Sequence, residues 1–309
     1  MKWPNGKSFA FTVFDDTDLS RPGNFEPVYE LLYDRGMRTT KSVWPATGPG
    51  IDARGAEVST CDDPEYLKYV LNLQSRGFEI GYHNSYHTGL LRAQIEVALD
   101  RFRSLFGHDP DTMSNHAMSL EGIYWGEARL SPPLSTAYRY LWARNRSQVH
   151  QGHREDSPYF WGDLCRKRIR YVRNFAFGKI NTLAACPSMP YHDSARPYVN
   201  AWYASTHAQH CSHFLEALSE KHQDELEASG GACIVYTHFA ADFVDPRGQL
   251  NPRAAQLIDR LSRKNGWFVP ARELLDYIVT QRGLVKLSRS ARRSLECRWL
   301  AHKILVGAG

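Results

Sequence analysis

Ser8-Phe9-Ala10-Phe11-Thr12-Val13-Phe14-Asp15-Asp16 is an apolar, β-rich run that stops on two carboxylates. Beyond them the chain alternates between helix-like and strand-like segments. Helical spacing over 25–36 passes through Val28, Leu31 and Leu32 to a C-capping Gly36, and 39–44 is β-like, ending at Pro45. Pro64 opens a second helix through Tyr66, Leu67, Val70, Leu71 and Leu73, stopped by Gly77. A short strand over 78–82 and an amphipathic helix over 91–106 come next, then a weak strand over 112–116. Residues 117–200 are rich in Pro, Trp, Tyr and Arg and read as loops and insertions, with a helix near 134–144 and a strand over 170–175. Regularity returns with helices over 212–228, 252–264 and 271–281, and strands over 232–237 and 267–269. Such alternation predicts an α/β fold with a mainly parallel sheet, open or closed into a barrel.

The 309 residues are 42% hydrophobic and 23% charged, an ordinary globular balance that suits one barrel or two small domains. From Gln281 to Gly309 there are seven Lys or Arg residues against the single acid Glu296, which sets a boundary near 281: a catalytic domain over 1–280 and a basic, helical tail over 281–309. Apolar runs fall far short of the ~20 residues that span a bilayer. The first apolar stretch leads into carboxylates rather than a small-residue cleavage site, so a cytoplasmic location is expected. Six cysteines, with no C-x-x-C among them, read as reduced structural thiols. The net charge of +5 is modest, and no nucleic-acid reader motif accompanies it.

Three segments that follow apolar strand runs carry the chemistry: Asp15-Asp16 after 8–14, His83 to His87 after 78–82, and His238 after 232–237. In parallel α/β folds ligands bind at the carboxyl ends of strands, so all three would meet on one face. His83 and His87, at i and i+4, would reach one cation from one side of a helical turn, with a carboxylate completing the set. Asp15 and Asp16 divide two tasks, one binding metal and the other accepting a proton; the plain alternative is a turn or cap shared with Asp18. His238 is either a satisfied core histidine or the group that protonates a leaving amine.

Phe14-Asp15-Asp16 resembles the T-F-D-D motif of the polysaccharide deacetylases, carbohydrate esterase family four. His83 to His87 resembles that family's H-[S/T]-x-x-H motif, and Thr237-His238 its late L-x-H segment. The resemblance implies a distorted (β/α)7 barrel, Asp15 as general base, and Asp16, His83 and His87 as ligands of one divalent ion, Zn²⁺ foremost, with Co²⁺, Ni²⁺ or Mn²⁺ as alternatives. It implies His238 as general acid. The family's third and fourth motifs have no clean counterpart. Asn115, His116, Trp161, Asp163 and Arg173 stand near their places as candidate substrate-binding residues.

The expected activity is removal of an N-acyl group from an amino sugar, an intermediate of surface-polysaccharide synthesis. Alternatives are a hydrolase of formamides or ureides on the same metal site, or a non-catalytic carbohydrate-binding relic. Leu284, Leu287, Ala291, Leu295, Trp299 and Ile304 fall on one side of a helix with basic residues between them. That tail is either a peripheral contact for an anionic membrane or a final helix packed on the barrel.

Overall fold

The computed structural model describes residues 1–140 and 149–306, apart from 49, 52–54 and 56. Among the described residues there are ten strands: β1 Phe9–Asp15, β2 Thr40–Val43, β3 Glu79–Tyr82, β4 Thr112–Met113, β5 Tyr171–Phe177, β6 Tyr191–His192, β7 Ala201–His207, β8 Ala232–Thr237, β9 Gly266–Phe268 and β10 Val285–Lys286. The helices are α1 Glu26–Asp34, α2 Pro64–Ser75, α3 Arg92–Phe106, α4 Leu134–Tyr138, α5 Gly162–Arg168, α6 Thr182–Ala185, α7 Cys211–Ala217, α8 Glu220–Ser229, α9 Pro252–Ser262, α10 Ala271–Arg282 and α11 Arg289–Val306.

Seven parallel strands, β1-β2-β3-β4-β5-β7-β8, close into a barrel because β8 returns to pair with β1. β8 occupies one whole edge of β1, from Ala10↔Ala232 to Asp15↔Thr237. Two strands share the other edge. β9 takes its start (Phe9↔Gly266) and β2 its end (Phe14↔Thr40), which distorts the barrel. Every residue of β1 is buried, as a strand with barrel interior on one side and helices on the other must be. Two helices start where the sequence marks them. Asp63 caps α2 ahead of Pro64, and Asn251 caps α9 ahead of Pro252, each side chain accepting two backbone N–H bonds.

Among its described residues the stretch 117–200 holds α4, α5, β5, α6 and β6, and the chain past it supplies β7, a barrel strand that the sequence reading lacks. The expected helix at 212–228 is two helices, α7 and α8. The expected helix near 134–144 is present as α4 over Leu134–Tyr138, and its residues 141–144 lie outside the described residues. α11 lays Leu295, Trp299 and Leu300 against the barrel, while Leu284, Ala291 and Ile304 stay exposed. Buried ion pairs fasten it: Arg196 bridges Asp193 and Glu296 at 2.5 and 3.0 Å, and Arg292 reaches Asp193 at 2.9 Å. No helix among the described residues is long and apolar enough to cross a membrane.

Candidate functional site

A cleft of about 730 Å³ opens at the carboxyl ends of the barrel strands. Asp16 follows β1, His83 follows β3, His116 follows β4 and His238 follows β8; Arg173 enters from β5. The barrel thus brings Asp16, His83, Asn115, His116, Arg173 and His238 together. It places Asp15, His87, Trp161 and Asp163 elsewhere.

Side chains alternate across a strand, so neighbours at its end face opposite ways. Asp16 faces the cleft and Asp15 faces away from it. The Asp15 carboxylate is fully buried, 3.0 Å from the Lys41 ammonium, and accepts bonds from the Tyr29 hydroxyl (2.9 Å) and the Phe239 N–H (2.8 Å). Asp16 accepts a fork from Arg173, at 2.9 Å on Oδ1 and 2.5 Å on Oδ2, and a bond from the Ser114 hydroxyl at 2.8 Å on Oδ1. Burial pushes its carboxyl up, but Arg173 and His83 more than offset this and hold it below the usual range.

No helical turn joins His83 to His87. The segment is a series of bends, with Asn84 at φ 53°, so the i, i+4 spacing does not aim both rings at one point. His87 packs against Tyr86 and Trp44, with ring centroids 3.9 and 5.5 Å away. Trp161 is buried and donates to the Glu121 carbonyl, and Asp163 is half-exposed and forks with Arg92.

Asp18, which the sequence offers only as a turn or cap residue, is the centre of the cluster. Its carboxylate meets His116 Nε2 at 3.0 Å, His83 Nε2 at 3.3 Å and His238 Nε2 at 2.8 Å. Burial raises its pKa, and the histidines drive it well below the ordinary value. Among the described residues Asp18, His83 and His116 form one group of donor atoms within 4.8 Å of one another; Asp16, Asp18 and His238 form another.

Hydrogen bonds fix the tautomers. Ser114 gives its hydroxyl proton to Asp16, so at 2.6 Å it must accept from His83 Nδ1–H. Ser119 gives its proton to the Tyr86 carbonyl and accepts from His116 Nδ1–H at 3.3 Å. His238 Nδ1–H donates to the Gln209 carbonyl at 2.7 Å. Each neutral ring therefore turns an Nε2 lone pair toward an acceptor carboxylate. Lone pairs facing a carboxylate repel unless a cation or added protons lie between them. Two imidazoles and a carboxylate, each imidazole oriented through its other nitrogen, fit a divalent transition ion. Burial lowers the pKa of His238, and the bond to Asp18 more than offsets it, for a net rise.

The likeness to solved structures is one of shape. A Mycobacterium smegmatis protein assigned to the polysaccharide deacetylases matches at 13% identity, with a TM-score of 0.50, over 94% of this chain and 96% of its own. PuuE allantoinase matches at 11% identity, with a TM-score of 0.51, over 92% and 94%. The fold is shared. No family model and no curated protein matches the chain.

The loop that carries His116 is held by its own side chains. Asn115 Oδ1 accepts the Ile123 N–H at 2.7 Å, and Glu121 Oε2 accepts the Leu90 N–H at 3.2 Å. Burial pushes Glu121 up to about 8 from an ordinary 4.5. A carboxyl raised on folding favours the native state below about 4.5, and that contribution is lost as pH rises to about 8. Glu121→Gln should therefore flatten the pH dependence of stability. Between pH 5.5 and 8.5, urea melts of wild type should lose on the order of 3 kcal/mol more than those of the variant. Parallel curves would show that Glu121 stays ionised.

Proposed function

We propose that the protein is a metal-dependent hydrolase that removes an N-acyl group, acetyl foremost, from an amino sugar made as a cytoplasmic intermediate of surface-polysaccharide synthesis. The observation that carries this reading is the set of Nε2 atoms converging on Asp18, beside a second carboxylate, Asp16, held by Arg173. The fold shared with the Mycobacterium smegmatis protein supports it.

Asp18, His83 and His116 would hold one divalent ion, Zn²⁺ foremost, which when bound polarises an acyl carbonyl and acidifies water at the site. Asp16 is the general base. A carboxylate has about four lone-pair sites; two bonds occupy Oδ1 and one occupies Oδ2, which leaves Oδ2 a free direction for the proton of attacking water. Arg173 orients that carboxylate and keeps it ionised. His238, anchored through Nδ1, offers Nε2 to protonate the departing amine. Trp44 packs against both ligand histidines, its ring 6.0 Å from His83 and 5.5 Å from His116.

The test is acid release by zinc-loaded protein from a panel of N-acetylated amino sugars, ureides and formamides. Release of acetate from the sugars, proportional to bound metal, is the expected result. Turnover of ureides or formamides alone would keep the metal chemistry and replace the substrate. No turnover of any, with metal bound, would leave a binding protein.

A further inference from the structure

Buried arginines in this chain come with carboxylates. Arg173 forks with Asp16, and Arg196 sits between Asp193 and Glu296. Arg129 breaks the pattern. It is 4% exposed and lines the cleft, yet no carboxylate among the described residues lies at ion-pair distance from it. Its guanidinium lies between two indoles, 4.2 Å from the Trp125 ring and 4.3 Å from the Trp299 ring. Its polar partners are the Gly126 carbonyl at 3.3 Å and the Tyr138 hydroxyl. Burial lowers its pKa, as it does for any cation withdrawn from water without a counter-ion.

A second cation stands on the same wall. Lys303, from α11, also lines the cleft, with its ammonium 5.6 Å from the Trp299 ring. Burial, and then Arg129, push it down to about 8. The carboxylates on the lining are Asp16, Asp18 and Glu216. Asp16 is taken up by Arg173 and Asp18 by the histidines, which leaves Arg129 with no carboxylate at ion-pair distance among the described residues. A planar fork stacked between aromatic rings is well suited to an oxyanion, and burial strengthens that interaction.

We propose that Arg129, with Lys303 beside it, binds an oxyanion carried by the substrate, so that the N-acyl compound bears a phosphate or carboxylate besides its scissile amide. The inference rests on the hydrolase reading for its substrate, but not for the anion site. Neutral wall polymers would leave Arg129 without a counter-ion. A sugar phosphate or an acidic sugar would supply one, and a reaction that installs such a group must then precede this enzyme.

The experiment has two arms. In the first, inorganic phosphate is titrated calorimetrically into the full chain freed of metal, so no ion in the Asp18 site contributes. Wild type should bind. Arg129→Met, which keeps an apolar chain between the indoles, should bind at least about 10-fold more weakly, and Arg129→Lys, which keeps charge without the fork, about threefold. Failure of wild type to bind phosphate, or equal affinity in a folded Arg129 variant, overturns the proposal. Should Arg129→Met fail to fold, the wild-type isotherm and Arg129→Lys decide.

In the second arm zinc-loaded enzyme is given N-acetylglucosamine, its 1-phosphate, and N-acetylmuramic acid. A preference in kcat/KM for one of the anionic sugars, reduced in the Arg129 variants, names the anion. Equal kcat/KM for all three overturns the proposal. Absence of any turnover, with the phosphate isotherm intact, counts against the hydrolase reading and leaves the anion site standing.

Discussion

Asp16→Asn should cut turnover by about 10²–10⁴-fold, the usual worth of a general base, while Asp15→Asn should leave turnover per folded molecule near wild type. The two aspartates are sequence neighbours, and the barrel wall separates them. Asp16 Oδ2 opens on the cleft. Asp15 is sealed with Lys41, both side chains at zero exposure, so removing its charge leaves a buried ammonium uncompensated. Breaking such a pair from one side costs about 3–5 kcal/mol. The variants should thus separate on two axes, kcat and unfolding free energy. Asp16→Asn also unpairs Arg173, but that guanidinium borders the cleft at 5% exposure rather than being sealed at zero as Lys41 is, so the stability loss should be the smaller. Kinetics of metal-loaded protein, normalised to the folded fraction, check the first axis, and denaturant melts check the second. If Asp15→Asn abolishes turnover in folded, metal-loaded protein, then Asp15 is the base after all.

The strand-helix rhythm was legible because each apolar run ends at its own punctuation, such as Gly36, Pro64 or Gly77, and that rhythm is what closes the barrel. β7 was not legible. Its Ala201-Trp202-Tyr203-Ala204-Ser205-Thr206-His207 mixes small, aromatic and polar residues, and only the neighbours β5 and β8 bury it on both sides.

In the site, an acid pair at a strand end says that two roles exist but not which residue faces inward; register and closure decide that. Asp18 carried a readable signal. It lies two residues beyond Asp16, the spacing that keeps two side chains on one side of an extended chain. His116 follows a two-residue strand and stands in no motif, so its approach to Asp18 is a product of the fold. Arg129 and Lys303 are 174 positions apart by number, and only the packing of α11 puts both around Trp299.

Removal of Asp18 or His116 should strip the metal, and removal of His87 should not. Asp18→Ala and His116→Ala each delete a donor, so affinity for Zn²⁺ should fall by more than the ~10–100-fold that loss of a supporting hydrogen bond costs. His87→Ala should keep one ion per chain by elemental analysis while losing its packing against Tyr86 and Trp44. The opposite outcome, metal lost with His87 and kept without His116, would restore the paired histidines of the sequence motif as the ligands. Ser114→Ala adds a finer test. That hydroxyl donates to Asp16 and accepts from His83, so one atom sets both the base and the tautomer of a ligand. Its loss frees His83 to carry its proton on Nε2, the nitrogen that faces Asp18. Metal affinity should drop by about 10–100-fold, and turnover at saturating metal should drop as well, because Asp16 has lost a partner. A variant that binds zinc as wild type does would show that the Ser114 relay does not set the ligand's tautomer.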